Sequence, residues 1–280
     1  MPFSHSLMHN NFTKGDMNAV IKLLRMKKIF LTQSKYVQKF EKKWSKWLGV
    51  KYSVFVNSGS SANLLTMTVL KMLYGKGEII LPALTWVSDI NSVIQNNFKP
   101  VFVDINPRNL CMSEAEIIKK VNKNTLAVFM THAQGFNGLT SKLVSFLKKR
   151  KVLLIEDVSE SHGATFNKRK LGTFGKISNF SFYYAHHMST IEGGMICTNN
   201  EIIYQKLRMI RSHGMLREAD NEDLKQKYIK KYSKLHKDFI FMYPGYNARS
   251  TEINAIIGRS QLKKLDKNII KRNENHKIFI

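Results

Sequence analysis

The order of apolar and polar positions predicts a sheet protein with helices between its strands. Short runs of β-branched and apolar residues alternate with longer stretches whose apolar residues recur at three- and four-residue spacing. A repeated strand, helix, strand pattern is typical of a parallel sheet covered by helices on both faces. The predicted strands are 53–56, 79–81, 101–105, 126–131 and 152–157, and the predicted helices are 62–74, 87–96, 113–121 and 141–150.

After Asp157 the pattern changes. Two apolar runs, 178–184 and 194–198, follow each other without room for a helix between them. We therefore predict that further strands join the sheet through shorter connections. Helices are predicted over 202–213, over the lysine-rich segment 225–237 and over 250–265.

Composition places the chain among globular proteins. Its 280 residues are 43% hydrophobic and 23% charged, which excludes a disordered or collagen-like polymer. A formal net charge of +25 raises the question of nucleic acid or an anionic membrane. The positive charges are spread along the whole chain, however, and the densest run, 225–237, is spaced to coat a helix on several sides. Such a run indicates a solvated surface, so we expect neither a nucleic-acid nor a membrane partner.

Cysteine usage and the N-terminus point to a cytoplasmic protein. Cys111 and Cys197 lie 86 residues apart with no CxxC pattern, which predicts reduced, buried thiols rather than a disulfide or zinc site. Residues 1–16 lack the apolar core of a signal peptide. No window approaches the roughly 18–20 apolar residues that a membrane helix needs.

The first segment with chemical character is 57–63, Asn-Ser-Gly-Ser-Ser-Ala-Asn, which follows a predicted strand and opens a helix. Small residues let the backbone approach an anion, and the N–H groups and dipole of a helix start favour phosphate. Gly and Ser are equally common here as ordinary loop and cap residues. Both interpretations stay open at this point.

The second segment is 155–163, where a predicted strand ends in a cluster of acids. A carboxylate at the carboxyl end of a strand lies where ligands bind in such sheets. An aspartate in this position can keep a pyridine nitrogen protonated, which makes Asp157 a candidate. The alternative is that Asp157 is a helix N-cap.

The third segment, 180–194, contains the adjacent pair His186 and His187 between aromatic residues and a Gly-Gly turn. With an unperturbed pKa near ~6.5, a histidine can give or take a proton at cellular pH. A metal site is the alternative. Adjacent histidines in a strand point to opposite faces and no third ligand is close in sequence, so we predict no metal.

These segments, in this order, resemble the DegT/StrS family of sugar-nucleotide aminotransferases, which are pyridoxal-phosphate proteins of the aspartate aminotransferase fold. The resemblance implies the fold type I of these enzymes: a mostly parallel central sheet flanked by helices. It implies an N-terminal arm at 1–15, a large cofactor-binding domain at 16–245 and the start of an incomplete small C-terminal domain at 246–280. The matching segments are 30–33, 40–41, 56–59, 81–86, 100–104, 155–157, 162–164, 172–175, 192–194, 245–249 and 261–262.

One departure from the family pattern concerns the cofactor. In the aminotransferases, a Phe-Ser-Phe segment is followed four residues later by the lysine that holds the cofactor covalently. Counting from Phe180-Ser181-Phe182 reaches His186, and counting back from Glu192-Gly193-Gly194 reaches the same residue. The nearest lysine, Lys176, comes before the strand that leads to the site. In this feature the chain is similar to the lysine-less subgroup of 3-dehydratases, which make 3-deoxy sugars.

The resemblance therefore implies a dehydratase that uses pyridoxal 5'-phosphate and pyridoxamine 5'-phosphate. It would remove the C3 hydroxyl of a nucleotide-linked 4-keto-6-deoxy sugar in deoxysugar or polysaccharide biosynthesis. Glutamate is the implied amino donor, and a homodimer the implied assembly. A pyridoxal-phosphate-dependent sugar-nucleotide aminotransferase is the alternative, and an inactive or regulatory truncated relative is the second alternative.

The resemblance also assigns residues to roles. His186 is the expected catalytic base, and Asp157 is the expected partner of the ring nitrogen. Trp86 and Asn247 have plain alternatives, as a core aromatic and a turn residue. The other expected roles are Trp86 stacked on the ring, Glu160 beside its hydroxyl, Ser181, Gly59 and Ser60 on the phosphate, Asn247 on the phosphate of the neighbouring subunit, and Arg249 on the substrate.

Overall fold

In the computed structural model, which describes residues 11–279, a seven-stranded sheet lies between two layers of helices. The strands are β1 Tyr52–Val56, β2 Glu78–Pro82, β3 Lys99–Val103, β4 Thr125–Thr131, β5 Leu153–Asp157, β6 Thr165–Phe166, β7 Arg169–Lys170, β8 Ile177–Ser181 and β9 Gly194–Thr198. The helices are α1 Lys14–Leu24, α2 Lys35–Leu48, α3 Gly59–Tyr74, α4 Val87–Gln95, α5 Glu114–Lys120, α6 Ser141–Arg150, α7 Glu201–Arg211, α8 Glu222–Lys231 and α9 Glu252–Phe279.

The order of strands in the large sheet is β1-β9-β8-β5-β4-β2-β3, and β6 pairs with β7 in a separate hairpin. Strand β9 is antiparallel to both of its neighbours, and every other pair in the large sheet is parallel. Consequently β1, β8, β5, β4 and β2 all end at one edge, where ligands bind in sheets of this kind. The predicted mostly parallel α/β architecture is confirmed.

Alternation along each strand divides the core into two parts. In β1, Phe55 packs on one face of the sheet, whereas Val54 and Val56 pack on the other. Helices α2, α5, α6 and α9 contribute buried apolar residues to the first face, and α3, α4 and α7 contribute to the second. Both faces of the strands are therefore buried, which explains their almost continuous apolar sequences.

The structure corrects four predicted boundaries. The lysine-rich helix, predicted over 225–237, spans Glu222–Lys231. Strand β3 ends two residues earlier than predicted, because the carbonyl of Asp104 accepts a hydrogen bond from the backbone N–H of Ser113 instead of extending the ladder. The run predicted as 178–184 leaves the sheet after Ser181 and enters a turn. Helix α9 continues to Phe279 rather than to residue 265, and residues 271–278 of it are exposed.

Helices α2 and α9 are joined by a buried carboxylate. Glu252, at the start of α9, is 1% exposed and accepts hydrogen bonds from the backbone N–H groups of Ser34, Tyr36 and Val37. These donors lie at the start of α2, where a helix has no partners of its own for them. The division predicted at residues 245 and 246 stays a prediction, and residues 1–10 of the predicted arm lie outside the described residues.

Two further sequence predictions concern the surface and the thiols. Helix α8, which carries much of the lysine-rich run, has no buried residue. The run is therefore a solvated face, as predicted. Cys111 and Cys197 are free and buried, which confirms the prediction for the thiols. No helix within residues 11–279 combines the length and the apolar character needed to cross a membrane.

Candidate active site

The turn from β1 to α3 meets the end of β8 at very short range. A Cβ atom on Gly59 would lie 2.6 Å from Cβ of Ser181, so only glycine allows this approach. Ser58 caps α3, because its Oγ accepts a hydrogen bond of 3.0 Å from the backbone N–H of Ser61. The cap interpretation is thus correct, and it leaves the helix start available to an anion. The predicted phosphate residues Gly59, Ser60 and Ser181 come together here.

Asp157 lies at the carboxyl end of β5 and is 6% exposed. Its Oδ1 accepts a hydrogen bond of 2.8 Å from the backbone N–H of Ser159, within a turn. No helix follows it, so the N-cap alternative is wrong. Its Oδ2 lies 3.4 Å from Nδ2 of Asn63, on the helix that begins at the phosphate turn. A buried carboxylate at this point suits a cationic ring nitrogen.

A buried polar network behind Asp157 was missed by the sequence analysis. Asn63 donates a hydrogen bond of 2.6 Å to Oδ1 of Asp89, on α4, and accepts one of 2.8 Å from Nδ2 of Asn179, on β8. Thr66 in turn donates to Oδ1 of Asn179 at 2.9 Å. Burial, with the charge of Asp157 added to it, raises the pKa of Asp89 well above its ordinary value. The sequence signal was weak, because the network consists of isolated polar residues within apolar helices and within the apolar strand β8.

His186 lies in the turn after β8 and is partly buried. Its backbone N–H donates a 3.0 Å hydrogen bond to the carbonyl of Tyr183. Burial lowers the pKa of His186 below its ordinary value, although the carboxylates of Asp157 and Glu160 act in the opposite direction. A neutral imidazole under the influence of two carboxylates can accept a proton at neutral pH.

His187 has different charged neighbours from His186. Burial, followed by the positive charges of Arg272 and His186, lowers the pKa of His187 to about 3. Because Asp157 and Glu160 act on His186 but Arg272 acts on His187, the two rings have different surroundings. The expectation that they occupy a strand was wrong, since β8 has already ended.

A third histidine, His162, completes an aromatic cluster. Its ring centroid lies 6.2 Å from that of His186 and 5.1 Å from that of His187. Burial, then the charges of the neighbouring histidines, lowers the pKa of His162 well below its ordinary value. Across the described part of the chain, no three His, Cys, Asp or Glu side chains are arranged to hold a metal ion. The cluster is therefore a neutral wall behind His186.

Two predicted site residues lie at the rim of the same edge. Trp86, directly before α4, is 71% exposed and is therefore not a core aromatic. Glu160, three residues after β5, accepts a hydrogen bond of 2.8 Å at Oε2 from the backbone N–H of Gln134. Glu160 is thereby attached to the loop after β4. Both residues follow strands that end at the site edge.

Asn247 and Arg249 lie beside the end of β1 in the same chain. Asn57 donates its backbone N–H to the carbonyl of Ala248, and Arg249 forms an isolated β-bridge with Val56. Nε of Arg249 donates a 3.0 Å hydrogen bond to Oδ1 of Asn247. Arg249 thus lies close to the phosphate turn, whereas the role of Asn247 in a second subunit stays a prediction.

The position of Lys176 bears on covalent chemistry. Its backbone N–H bonds to the carbonyl of Leu154, and it directly precedes Ile177, the first residue of β8. His186 follows the other end of that strand. With a rise of about 3.3 Å per residue, five strand residues separate the two edges of the sheet by roughly 13–16 Å. The backbone of Lys176 therefore lies at the edge of the sheet opposite the candidate site.

The chain matches the model of the DegT/DnrJ/EryC1/StrS aminotransferase family over residues 11–280. It is 37% identical to GDP-4-keto-6-deoxy-D-mannose 3-dehydratase of Escherichia coli O55:H7, covering 89% of this chain and 65% of that protein. It is 30% identical to GDP-perosamine synthase of Escherichia coli O157:H7, covering 89% of this chain and 63% of that protein. The chain thus spans less than two thirds of the length of either relative.

Among solved structures, the E. coli GDP-4-keto-6-deoxy-D-mannose-3-dehydratase with bound hydrated PLP superimposes with a TM-score of 0.89 at 33% identity. The match covers 99% of this chain and 72% of that chain. This likeness confirms the aminotransferase fold expected from the sequence.

Proposed function

The chain belongs to the DegT/DnrJ/EryC1/StrS aminotransferase family, and we propose that it is a dehydratase that removes the C3 hydroxyl group of a nucleotide-linked 4-keto-6-deoxy sugar. One observation carries the proposal. A partly buried histidine, His186, occupies the turn after β8, where the family resemblance places the lysine of an aminotransferase. Histidine can exchange a proton but cannot hold the cofactor covalently.

The residues of the site fit pyridoxal phosphate and its amine form as cofactor. The cradle of Gly59, Ser60 and Ser181 supplies helix-start N–H groups and hydroxyls to a phosphate. Asp157 supplies a buried carboxylate to the ring nitrogen, and the exposed Trp86 is free to lie against the ring. Glu160 lies near enough to His186 to act on its charge.

Pyridoxamine phosphate, when bound, supplies an amine for the C4 ketone and a ring that accepts electrons. Asp157 would hold the ring nitrogen of the bound cofactor in its protonated form through its negative charge. His186 takes a proton at an imidazole nitrogen and returns it, because its lowered pKa keeps the ring neutral beforehand. The wall formed by His162 and the aromatic residues lies beside that imidazole.

The substrate and assembly follow from the same proposal. Arg249, beside the phosphate turn, would pair with the diphosphate of the nucleotide sugar. Glutamate would restore the amine form of the cofactor. Asn247 would reach the phosphate site of a second copy, so the active protein would be a homodimer. Sedimentation of the complete protein in the presence of cofactor tests that assembly.

The second candidate function is a sugar-nucleotide aminotransferase, since a GDP-perosamine synthase is also a relative of this chain. This function needs a lysine that reaches the cofactor. Lys176 begins at the opposite edge of the sheet, and the position after β8 holds His186 instead. Both facts favour the dehydratase.

Borohydride reduction of the holoprotein, followed by peptide mass analysis, tests the proposal. We expect no pyridoxyl-lysine in any peptide of the natural chain. The His186→Lys variant is the positive control, because its amine occupies the position that the aminotransferases use. A reduced pyridoxyl-lysine in the natural chain would contradict the dehydratase proposal and support the aminotransferase function instead. Release of a 3-deoxy sugar from a nucleotide-linked 4-keto-6-deoxy sugar, with glutamate present, is the matching activity measurement.

A further inference from the structure

A second carboxyl group lies buried next to Asp157, and the proposed chemistry does not use it. Asp89, on α4, is 0% exposed. Oδ1 of Asp89 lies 2.6 Å from Nδ2 of Asn63, and the same nitrogen lies 3.4 Å from Oδ2 of Asp157. None of the ion pairs found within residues 11–279 includes either carboxyl group. Two neighbouring acids therefore share one amide and have no cation.

The orientation of Asn63 is determined by its other contacts. Oδ1 of Asn63 accepts a hydrogen bond from Nδ2 of Asn179, whose own Oδ1 accepts from Thr66. With Thr66 donating its hydroxyl hydrogen to Oδ1 of Asn179, each amide has its NH₂ group pointing onward. The NH₂ group of Asn63 consequently points at the two carboxyl groups and holds them together.

The other oxygen of Asp89 lies in a triangle of three oxygens. Oδ2 of Asp89 is 2.5 Å from Oγ1 of Thr85 and 2.9 Å from Oγ1 of Thr131, and the two threonine oxygens are 2.8 Å apart. The two hydroxyls supply two hydrogens for three contacts. If Asp89 is ionised, one contact brings two oxygens together without a hydrogen. If Oδ2 carries a proton, each of the three contacts has its own hydrogen.

Electrostatics acts in the same direction as this count of hydrogens. Removing a carboxylate from water is unfavourable. Ionising two adjacent buried carboxyl groups without a cation has the further cost of repulsion between like charges. Asp157 is the charged group that acts on Asp89, and the contacts of Asp89 on α3, β4 and the β2–α4 connection are Asn63, Thr131 and Thr85, which do not titrate near neutral pH.

We propose that Asp89 is a positioning residue that stays protonated at neutral pH and makes Asp157 the single charged member of a buried carboxyl pair. This inference rests on the proposed function only for its purpose, which is to hold one negative charge, in one place, toward the cofactor ring nitrogen. The amide NH₂ group of Asn63 contacts both carboxyl groups and so fixes the position of Asp157 relative to Asp89. A second charge at Asp89 would compete with Asp157 for protons and hydrogen bonds.

Infrared difference spectroscopy of the cofactor-free protein tests the protonation directly. We expect a carbonyl band of a protonated carboxylic acid at about pH 7, above the pKa of an ordinary aspartate. The band should shift in D₂O and be absent from the Asp89→Asn variant, which keeps shape and neutrality. Absence of any difference band between the two proteins would overturn the inference.

Cofactor binding provides the second measurement. Pyridoxal phosphate should bind Asp89→Asn within about threefold of the natural affinity, with its absorption maximum unchanged, because a neutral group replaces a neutral group. Asp157→Asn should shift that maximum, because it removes the charge. A shift as large in Asp89→Asn would mean that Asp89 carries the charge, and would contradict the inference.

The two proposals can fail separately. An acid band in a protein without dehydratase activity would contradict the proposed function and leave the carboxyl pair intact. If Asp89→Asn does not fold, aspartate labelled with ¹³C at the carboxyl carbon gives the same answer in the natural chain. One carboxyl resonance should then keep its protonated shift at about pH 7, above the pKa of an ordinary aspartate. A set of resonances that all report ionised groups would overturn the inference.

Discussion

The contact between the phosphate turn and β8 provides a sharp test of the site geometry. A methyl group on Gly59 would lie 2.6 Å from Cβ and 3.0 Å from Oγ of Ser181. Carbon atoms in ordinary contact are about 3.5–4 Å apart, so the Gly59→Ala variant must move one segment by roughly 1 Å. Ser181 cannot move freely, because it pairs with Gly194 in the sheet.

Gly15→Ala is the matched control. Gly15 lies in the first turn of α1, as Gly59 lies in that of α3, and its added methyl group would meet only Oγ1 of Thr13, at an ordinary 3.6 Å. Both variants gain the helix propensity of alanine over glycine, up to about 1 kcal/mol. Overpacking adds a cost of about 1–3 kcal/mol at Gly59 alone. The difference in unfolding free energy between the variants should therefore be about 1–3 kcal/mol.

Gly59→Ala should weaken cofactor binding as well as lower the stability of the protein. Under the proposed function, displacing Ser181 would remove a hydrogen bond to a charged phosphate, worth about 1.5–3 kcal/mol. Pyridoxal phosphate should therefore bind Gly59→Ala about 10- to 100-fold more weakly, and Gly15→Ala with unchanged affinity. Denaturant midpoints and cofactor titration by absorbance measure both effects. Equal behaviour of the two variants would refute the close approach of Gly59 to Ser181.

Three further predictions concern the histidines and a buried ion pair. His186→Asn should lower the dehydration rate about 10²–10⁴-fold with nearly unchanged cofactor affinity, because asparagine cannot take a proton. A loss of activity in His187→Asn alone would show that His187, and not His186, is the base. Glu41 contacts Arg211 at 2.6 Å, and Arg211 is 1% exposed. Glu41→Gln should cost about 3–5 kcal/mol in denaturant unfolding, since it leaves a buried charge, and adding Arg211→Met should recover most of it; a cost under about 1 kcal/mol would contradict this. Burial, aided by Arg272, holds the pKa of His187 at about 3, so below pH ~6.5 the unfolded chain binds a proton that the folded chain does not. As the pH falls from ~6.5 toward 3, this one group should lower stability by about 1.4 kcal/mol per pH unit, so His187→Asn should reduce the measured slope by up to that amount when unfolding is measured across this range.

Much of the site could be read from the sequence because its chemistry is local. Strands that are buried on both faces are continuous apolar runs, so β1, β2, β4 and β5 were predicted within one or two residues. A parallel sheet then brings the segments after those strands to one edge. For that reason the turn that contains Gly59 and the carboxylate of Asp157 were expected at that edge, and the family resemblance assigned Ser181 to the same site. The identity of residue 186 was itself a sequence fact.

Other features depend on contacts between distant segments. The insertion of β9 antiparallel between β1 and β8 leaves no trace in its apolar pattern, because both directions bury the same side chains. Glu252 accepts a hydrogen bond from the backbone N–H of Val37 at the start of α2, although 215 positions in the sequence separate the two residues. Asp89 looks like one polar position on a helix until the fold places it against Asp157.

The reason for this division is physical. Periodicity along the chain reports whether a side chain is buried, because burial follows the repeat of the helix or strand to which it belongs. Which side chains contact each other depends on the free energy of groups brought together from different elements. The pKa of a buried carboxyl group shifts because of the charged group that the fold places beside it. The sequence by itself therefore determined the elements, their edge and the residue types at the site. The tertiary structure decided which acids meet, which histidine their charges act on and which glycine must remain without a side chain.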